Sequence, residues 1–320
     1  MPMLDMPFEE LKEYTGSSPM PSDFDIYWDR ALAELDSQPL DYTLEPSDFS
    51  APGIICAYLY FTGVGGARVA CKFLRPTATE GKIPGIVMFH GYSGDSGGWV
   101  SKLPYAYAGY AVLALDVRGQ MGRSDDSLIV PGNTFRGQII RGLSSGDPDK
   151  LFFRNVFLDT AQTVRILMGM DFVDENRIGA TGGSQGGGLT VACAALEPRV
   201  KMCAPIYPFL SDYRRVWEMD LCKDAYDELS YYMRFVDPRH KNIDKMFYTL
   251  GYIDVSNLAP RIKGETYMFL SLMDNMCPPS TQFAAYNRII ASKSCEVYPN
   301  HGHEGLPDSD ELIFTYFQRL

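Results

Sequence analysis

Short apolar runs closed by turn residues recur along the chain, and between them lie longer segments with helical period. Ile54–Thr62 and Ala67–Arg75, joined by the glycine-rich GVGGA, read as a β-hairpin. Ile83–His90, Ala111–Asp116, Arg177–Gly182, Lys201–Tyr207, Thr266–Leu272 and Cys295–Tyr298 read as six further strands. The run GIVMFH is nearly continuous in apolar residues, as expected of a strand covered on both faces. Asn155–Met170 places Phe157, Ala161, Val164 and Met168 about one turn apart. Gln185–Leu196, Pro279–Ala291 and Asp308–Leu320 also read as helices. This alternation predicts an α/β fold in one domain over 1–320, with an eight-stranded, mostly parallel sheet and helices on both faces. Two segments stand outside it. Residues 1–45, with DFDIYWDRALAELD, read as an N-terminal helical extension laid outside the sheet. Residues 209–252 form an aromatic and charged insertion after the sixth strand, read as helical excursions near the functional face.

Glycines crowd around one serine in RIGATGGSQGGGLTVACAAL, Arg177 to Leu196. Gly182-Gly183-Ser184-Gln185-Gly186 matches G-x-S-x-G, with an apolar strand before it and an alanine-rich helix pattern after it. That context predicts a nucleophile elbow, a tight turn lifting the Ser184 hydroxyl above the sheet. Gly182 and Gly186 leave room for the neighbouring strand and helix. A phosphate loop fits poorly, because neither GxGxxG nor GK[ST] is present.

A serine needs a base. In this fold class the order along the chain is serine, acid, histidine, which points to NHGHEG and to His303, with His301 the alternative. The acid should close the strand before that loop, and TYMFLSLMD ends at Asp274 before a Pro-Pro pair; Asp254, Asp308 and Asp310 are rivals that close no strand. The oxyanion donors are expected to be the backbone N–H groups of Gln185 and of Tyr92, the latter in FHGYSGDSGGW after the third strand. His90 reads as a pin for that loop. Tyr92, Tyr207 and Pro208, which follow strands ending at the same face, are expected to wall the acyl pocket. Arg118 of Arg118-Gly119-Gln120, after the fourth strand, is placed to tie loop carbonyls or a carboxylate together.

Composition narrows the classes. The 320 residues are 46% hydrophobic and 22% charged, enough for a sizeable core, and the net charge of -11 argues against nucleic-acid binding. The N-terminal residues show no basic segment followed by an apolar run, so no secretory leader is expected. No window approaches the roughly 18 apolar residues of a membrane span. Seven cysteines include no CxxC pair, so zinc and redox chemistry are not expected. No metal or cofactor is expected.

These residues carry a likeness. Arg118-Gly119-Gln120, Gly182-Gly183-Ser184-Gln185-Gly186 and His303-Glu304, with DMPFEELKEYTGSSPMPSDFDIYWDRAL and VSNLAPRIKGETYMFLSLMDNMCPPSTQFAAYN, make the chain resemble carbohydrate esterase family seven, the acetyl xylan esterases and cephalosporin-C deacetylases. The resemblance implies an α/β-hydrolase acting as a metal-independent serine esterase on acetylated xylo-oligosaccharides and cephalosporin C. It implies Ser184, Asp274 and His303 as the triad, with Tyr92 and Gln185 as oxyanion donors. It further implies a cytoplasmic homo-hexamer with its sites facing an internal cavity. The triad residues alone leave open a peptidase, a carbon–carbon bond hydrolase, or a non-catalytic binding relative.

Overall fold

The apolar runs pair into one sheet. In chain order its strands are β1 (Tyr42–Pro46), β2 (Ile54–Thr62), β3 (Arg68–Pro76), β4 (Ile83–Phe89), β5 (Ala111–Asp116), β6 (Val173–Gly183), β7 (Met202–Ile206), β8 (Glu265–Ser271) and β9 (Lys293–Tyr298). The computed structural model describes residues 4–132 and 138–320, and among them the nine strands lie in the order β1-β2-β3-β5-β4-β6-β7-β8-β9. The β1–β2, β2–β3 and β3–β5 pairs are antiparallel, and every pairing from β5 across to β9 is parallel.

Helices cover both faces. α1 (Phe8–Leu11) and α2 (Phe24–Asp36) belong to the N-terminal extension. α3 (Leu103–Tyr107) and, at the end of the chain, α11 (Ser309–Phe317) cover one face. There Ala106, Ile313 and Phe317 pack on Ile86, Val112 and Phe269. α4 (Phe152–Met168) and α5 (Gln185–Leu196) lie on the other face, where Phe157, Leu167 and Leu189 join the core of Val87, Leu113 and Ala180. Neighbours Ile86 and Val87 thus go to opposite sides, as the two-residue period of a strand requires. α6 (Tyr213–Glu218), α7 (Asp227–Phe235) and α8 (Ile243–Leu250) fill the segment between β7 and β8, followed by α9 (Val255–Leu258). α10 (Pro279–Arg288) joins β8 to β9. Among the described residues no helix is long and apolar enough to cross a membrane.

The mostly parallel sheet with helices on both faces matches the sequence expectation, with one correction. Among the described residues there are nine strands rather than eight. β1 begins inside the 1–45 segment read as helical, whose first three residues lie outside the described ones. Its residues are exposed throughout and include Pro46, so no buried alternating face marks it. Such a sequence is tolerated because β1 is an edge strand, paired on one side only.

The extension also straps the insertion to the rest of the molecule. Trp28 is fully buried, and its Nε1 donates to the Tyr252 carbonyl at 3.0 Å. The Asp212 carboxylate accepts from the Tyr14 hydroxyl at 2.7 Å and from the Ser18 N–H at 2.8 Å. Asp5 accepts from Arg215 at 2.7 Å and from the Ser280 N–H at 2.8 Å.

Candidate active site

Ser184 is the single residue between the end of β6 and the start of α5, at φ 58° and ψ -120°. A non-glycine residue there carries strain of about 1–3 kcal/mol, and the neighbouring backbone holds it. The Ser184 N–H donates to the Ile206 carbonyl, while its own carbonyl accepts from Gly188 and Phe209, each bond 3.0 Å long. The surrounding glycines are steric necessities. A Cβ on Gly182 would lie 2.4 Å from the Phe89 oxygen, one on Gly186 2.1 Å from the same atom, and one on Gly187 2.4 Å from the Ile206 oxygen. With side chains removed, the elbow sits directly on the ends of β4 and β7.

Asp274 lies just beyond β8 and is fully buried. Its Oδ1 accepts from the N–H groups of Met276 and Cys277, both at 2.8 Å. Its Oδ2 lies 2.8 Å from Nδ1 of His303, whose Nε2 lies 2.9 Å from the Ser184 hydroxyl. A carboxylate only accepts, so Nδ1 carries the proton and Nε2 is left to accept from Ser184. The loop holding His303 is itself tied down, because the Met273 N–H donates to the His301 carbonyl at 3.0 Å. His301 stays outside the chain of bonds: its buried Nδ1 has no partner among the described residues. Asp254 caps α9 by accepting from the Ser256 N–H at 2.9 Å. Such a chain can move the Ser184 proton onto imidazole while Asp274 stabilises the resulting cation.

Of the other anticipated residues, Gln185 opens α5, in the first turn where N–H groups have no intrahelical acceptor. Its side-chain amide pairs reciprocally with Gln120, at 2.7 and 3.0 Å, and Gln120 also donates to Gln138 at 2.6 Å. Tyr92 packs its ring edge-on against Phe209, centroids 5.5 Å apart. Its hydroxyl donates to Glu228. His90 accepts from the Val117 N–H at 3.0 Å and bonds the Gly91 carbonyl at 2.8 Å; burial lowers its pKa and keeps it neutral. The Tyr207 ring lies 4.8 Å from that of His303, and burial pushes its phenol up to about 12. Pro208 is buried, its Cα in the space that a side chain on Gly187 would need. Arg118, fully buried, grips both oxygens of Asp159 at 2.6 Å and the Val64 carbonyl at 2.9 Å. It joins the end of β5 to α4 and to the β2–β3 turn.

Sequence reasoning missed three neighbours. Glu228, in the insertion, had no motif to flag it. The Gln120–Gln185 amide pair had none either, although Gln120 belongs to a noted triplet. Cys277 enters the sequence reading only as one of seven cysteines without CxxC spacing, yet it is fully buried beside the relay, and burial pushes its pKa well up. Its place three residues after Asp274, on the same turn, is the signal that could have found it. Asp274, Cys277 and His303 offer ligand atoms within 4.8 Å of one another. An ion held there would have to displace the His303–Asp274 bond and compete with Ser184 for the imidazole, so the donor set suits a proton relay better than a metal.

A mostly parallel sheet that delivers a strained serine at the end of a central strand, ahead of a histidine in the last loop, is the arrangement of the α/β-hydrolases, and this chain is one of them. A model of the acetyl xylan esterase (AXE1) family matches residues 1–320. The chain belongs to that family of carboxylic ester hydrolases. It is similar to the acetyl esterase Axe7A of Xylanibacter ruminicola, 27% identical over 304 residues, a match covering 92% of this chain and 65% of that protein. It therefore spans just under two thirds of that relative's length. Among solved structures it is similar to acetyl xylan esterase 1 from Thermoanaerobacterium sp. JW/SL YS485, 52% identical, with a TM-score of 0.97 and 99% of each chain covered. It is also similar to the acetyl xylan esterase from Paenibacillus sp. R4, 35% identical, with a TM-score of 0.93 and coverage of 98% of this chain and 99% of that one.

Proposed function

We propose that this protein is a serine esterase that removes acetyl groups from small acetylated substrates such as xylo-oligosaccharides and cephalosporin C, through an acyl-enzyme. The observation that carries the reading is the unbroken hydrogen-bond chain from the Ser184 hydroxyl through His303 to Asp274, at 2.9 and 2.8 Å. His303 takes the Ser184 proton as the serine oxygen bonds to the acetyl carbon. The carbonyl oxygen becomes an oxyanion, received by the N–H groups of Tyr92 and Gln185. Collapse breaks the ester bond, and the imidazolium returns its proton to the leaving alkoxide. Water then attacks the acyl-enzyme while giving a proton to His303; collapse breaks the bond to the Ser184 oxygen, which takes that proton back from the imidazolium, and acetate is released.

Tyr92, Tyr207 and Pro208 form the acyl wall in this reading, which suits a small acyl group. No metal or cofactor enters the reaction. The proposal takes 1–320 as one catalytic domain, extension 1–45 and insertion 209–252 included, working as a cytoplasmic homo-hexamer. Its support is the family likeness.

Ser184→Ala is the test. Hydrolysis of p-nitrophenyl acetate by the variant should fall at least ~10³-fold, leaving the residue supplied by the oxyanion site and binding. Near-normal turnover removes Ser184 from the mechanism. In the same assay the wild type should prefer acetyl to butyryl esters, and cleavage of peptides with negligible deacetylation points to a peptidase instead.

A further inference from the structure

Glu228 is a carboxylate that the proton relay does not use. It sits on α7 in the insertion and is only 7% exposed. Oε1 accepts from the Tyr92 hydroxyl, across 136 residues of sequence. Oε2 accepts from the N–H groups of Ile139 at 2.6 Å and Ile140 at 3.1 Å. The same short segment reaches the other side of the elbow, since Gln138 accepts from Gln120, and Gln120 pairs with Gln185. Residues 138–140 are therefore linked to Tyr92 through Glu228 and to Gln185 through Gln120. These are the two residues whose N–H groups are assigned above to the oxyanion.

The loop bearing Tyr92 is tied before it by His90 and after it by Gly94, which accepts from the Met121 N–H at 3.2 Å, and by Ser96, whose N–H donates to Asp116 at 2.7 Å. Between these ties the Tyr92 hydroxyl is held by Glu228. The loop contains Gly91, Gly94 and Gly97, and Ser93 stands at φ 56°. Oxyanion donors act only when held at hydrogen-bond distance from where the charge will develop. An unsupported glycine-rich loop would wander on that scale.

We infer that Glu228 is a positioning residue for acyl transfer: by gripping the Tyr92 phenol it holds the Tyr92 N–H opposite that of Gln185, which makes the insertion a working part of the oxyanion site. The inference rests on the esterase reading. It acts through Tyr92, not by touching substrate.

A double-mutant cycle on the full chain tests it, with p-nitrophenyl acetate as substrate and Glu228→Leu, Tyr92→Phe and the pair as variants. Each single change should lower kcat about 10-fold with KM within about twofold, because donor placement is lost while substrate binding is not. The pair should be no worse than either single change, since both break one link. Affinity for a boronic acid that mimics the tetrahedral adduct should fall in step with kcat. Tyr92→Phe keeps the Glu228 bonds to Ile139 and Ile140 but leaves the buried Oε1 without its donor, so its melting temperature should fall by a few degrees while the fold survives. Unchanged kcat in Tyr92→Phe, or losses that multiply in the pair, overturns the inference. Should Glu228→Leu not fold, the Tyr92→Phe arm decides by itself. Failure of the esterase reading looks different: the wild type would neither turn over acetate esters nor be labelled at Ser184 by a fluorophosphonate.

Discussion

Asp274 uses both carboxylate oxygens, one on two backbone N–H groups and one on His303. That division makes a sharp prediction. In Asp274→Asn the amide oxygen stays with Met276 and Cys277, so the NH2 group turns toward His303 and forces its Nδ1 to accept. The imidazole is then held in the tautomer that points a proton at Ser184, and kcat should fall on the order of 10³–10⁴-fold. The fold should survive, because the shape and the two backbone bonds remain; p-nitrophenyl acetate kinetics beside a thermal melt will check both. A fall below about 10-fold would mean that His303 does not depend on Asp274 for its orientation. The same scale explains the choice between neighbouring histidines. His303 and His301 are two residues apart, yet only the first meets a hydroxyl and a carboxylate.

At the scale of elements, the elbow works by contact between backbones. Gly186→Ala would put a methyl 2.1 Å from the Phe89 oxygen, an atom at the end of β4 that cannot move without disturbing two strand pairings. Urea unfolding should show a loss of more than about 2 kcal/mol, together with lost activity. Gly305→Ala is the control, since a Cβ there meets nothing within 4 Å, and it should stay within about 0.5 kcal/mol of the wild type. Equal stability of the two variants would show that the elbow has room to spare. The insertion is an element of another kind. It is held at Trp28, Asp5 and Asp212 by the N-terminal extension and reaches Tyr92 through Glu228, so two segments outside the strand–helix alternation converge on the site.

For the whole molecule, the Arg118–Asp159 pair is the joint between the two halves of the sheet's support. It is buried without solvent at either end, with side-chain exposures of 0% and 1%. Removing only the cation leaves a buried, unpaired carboxylate, so Arg118→Leu should cost roughly 3–5 kcal/mol. Arg118→Leu combined with Asp159→Leu should recover much of that loss, because no charge remains to be desolvated. Chemical unfolding of the three proteins decides the matter; a double variant as unstable as the single one would mean that the bond to Val64 or the packing, rather than the charge, is what matters.

The sequence by itself determined the strands from Ile54 onward, the helix after Ser184 and the nomination of Ser184, Asp274 and His303. Each of these is written in local terms: two- and 3.6-residue periods, small residues around a sharp turn, a proline pair that ends a strand, and the order of residue types along the chain. Only the tertiary structure decided the rest. β1 carries no buried face, so its place at the sheet edge depends on β2 being there to pair with it. Glu228 is one of 40 acidic residues, and nothing near it in sequence distinguishes it. Its partner lies 136 residues away. Gln120 with Gln185, and Arg118 with Asp159, are likewise contacts between segments far apart in the chain. Local stereochemistry proposes candidates of the right chemical type, whereas the strand order and the packing of helices choose which of them meet.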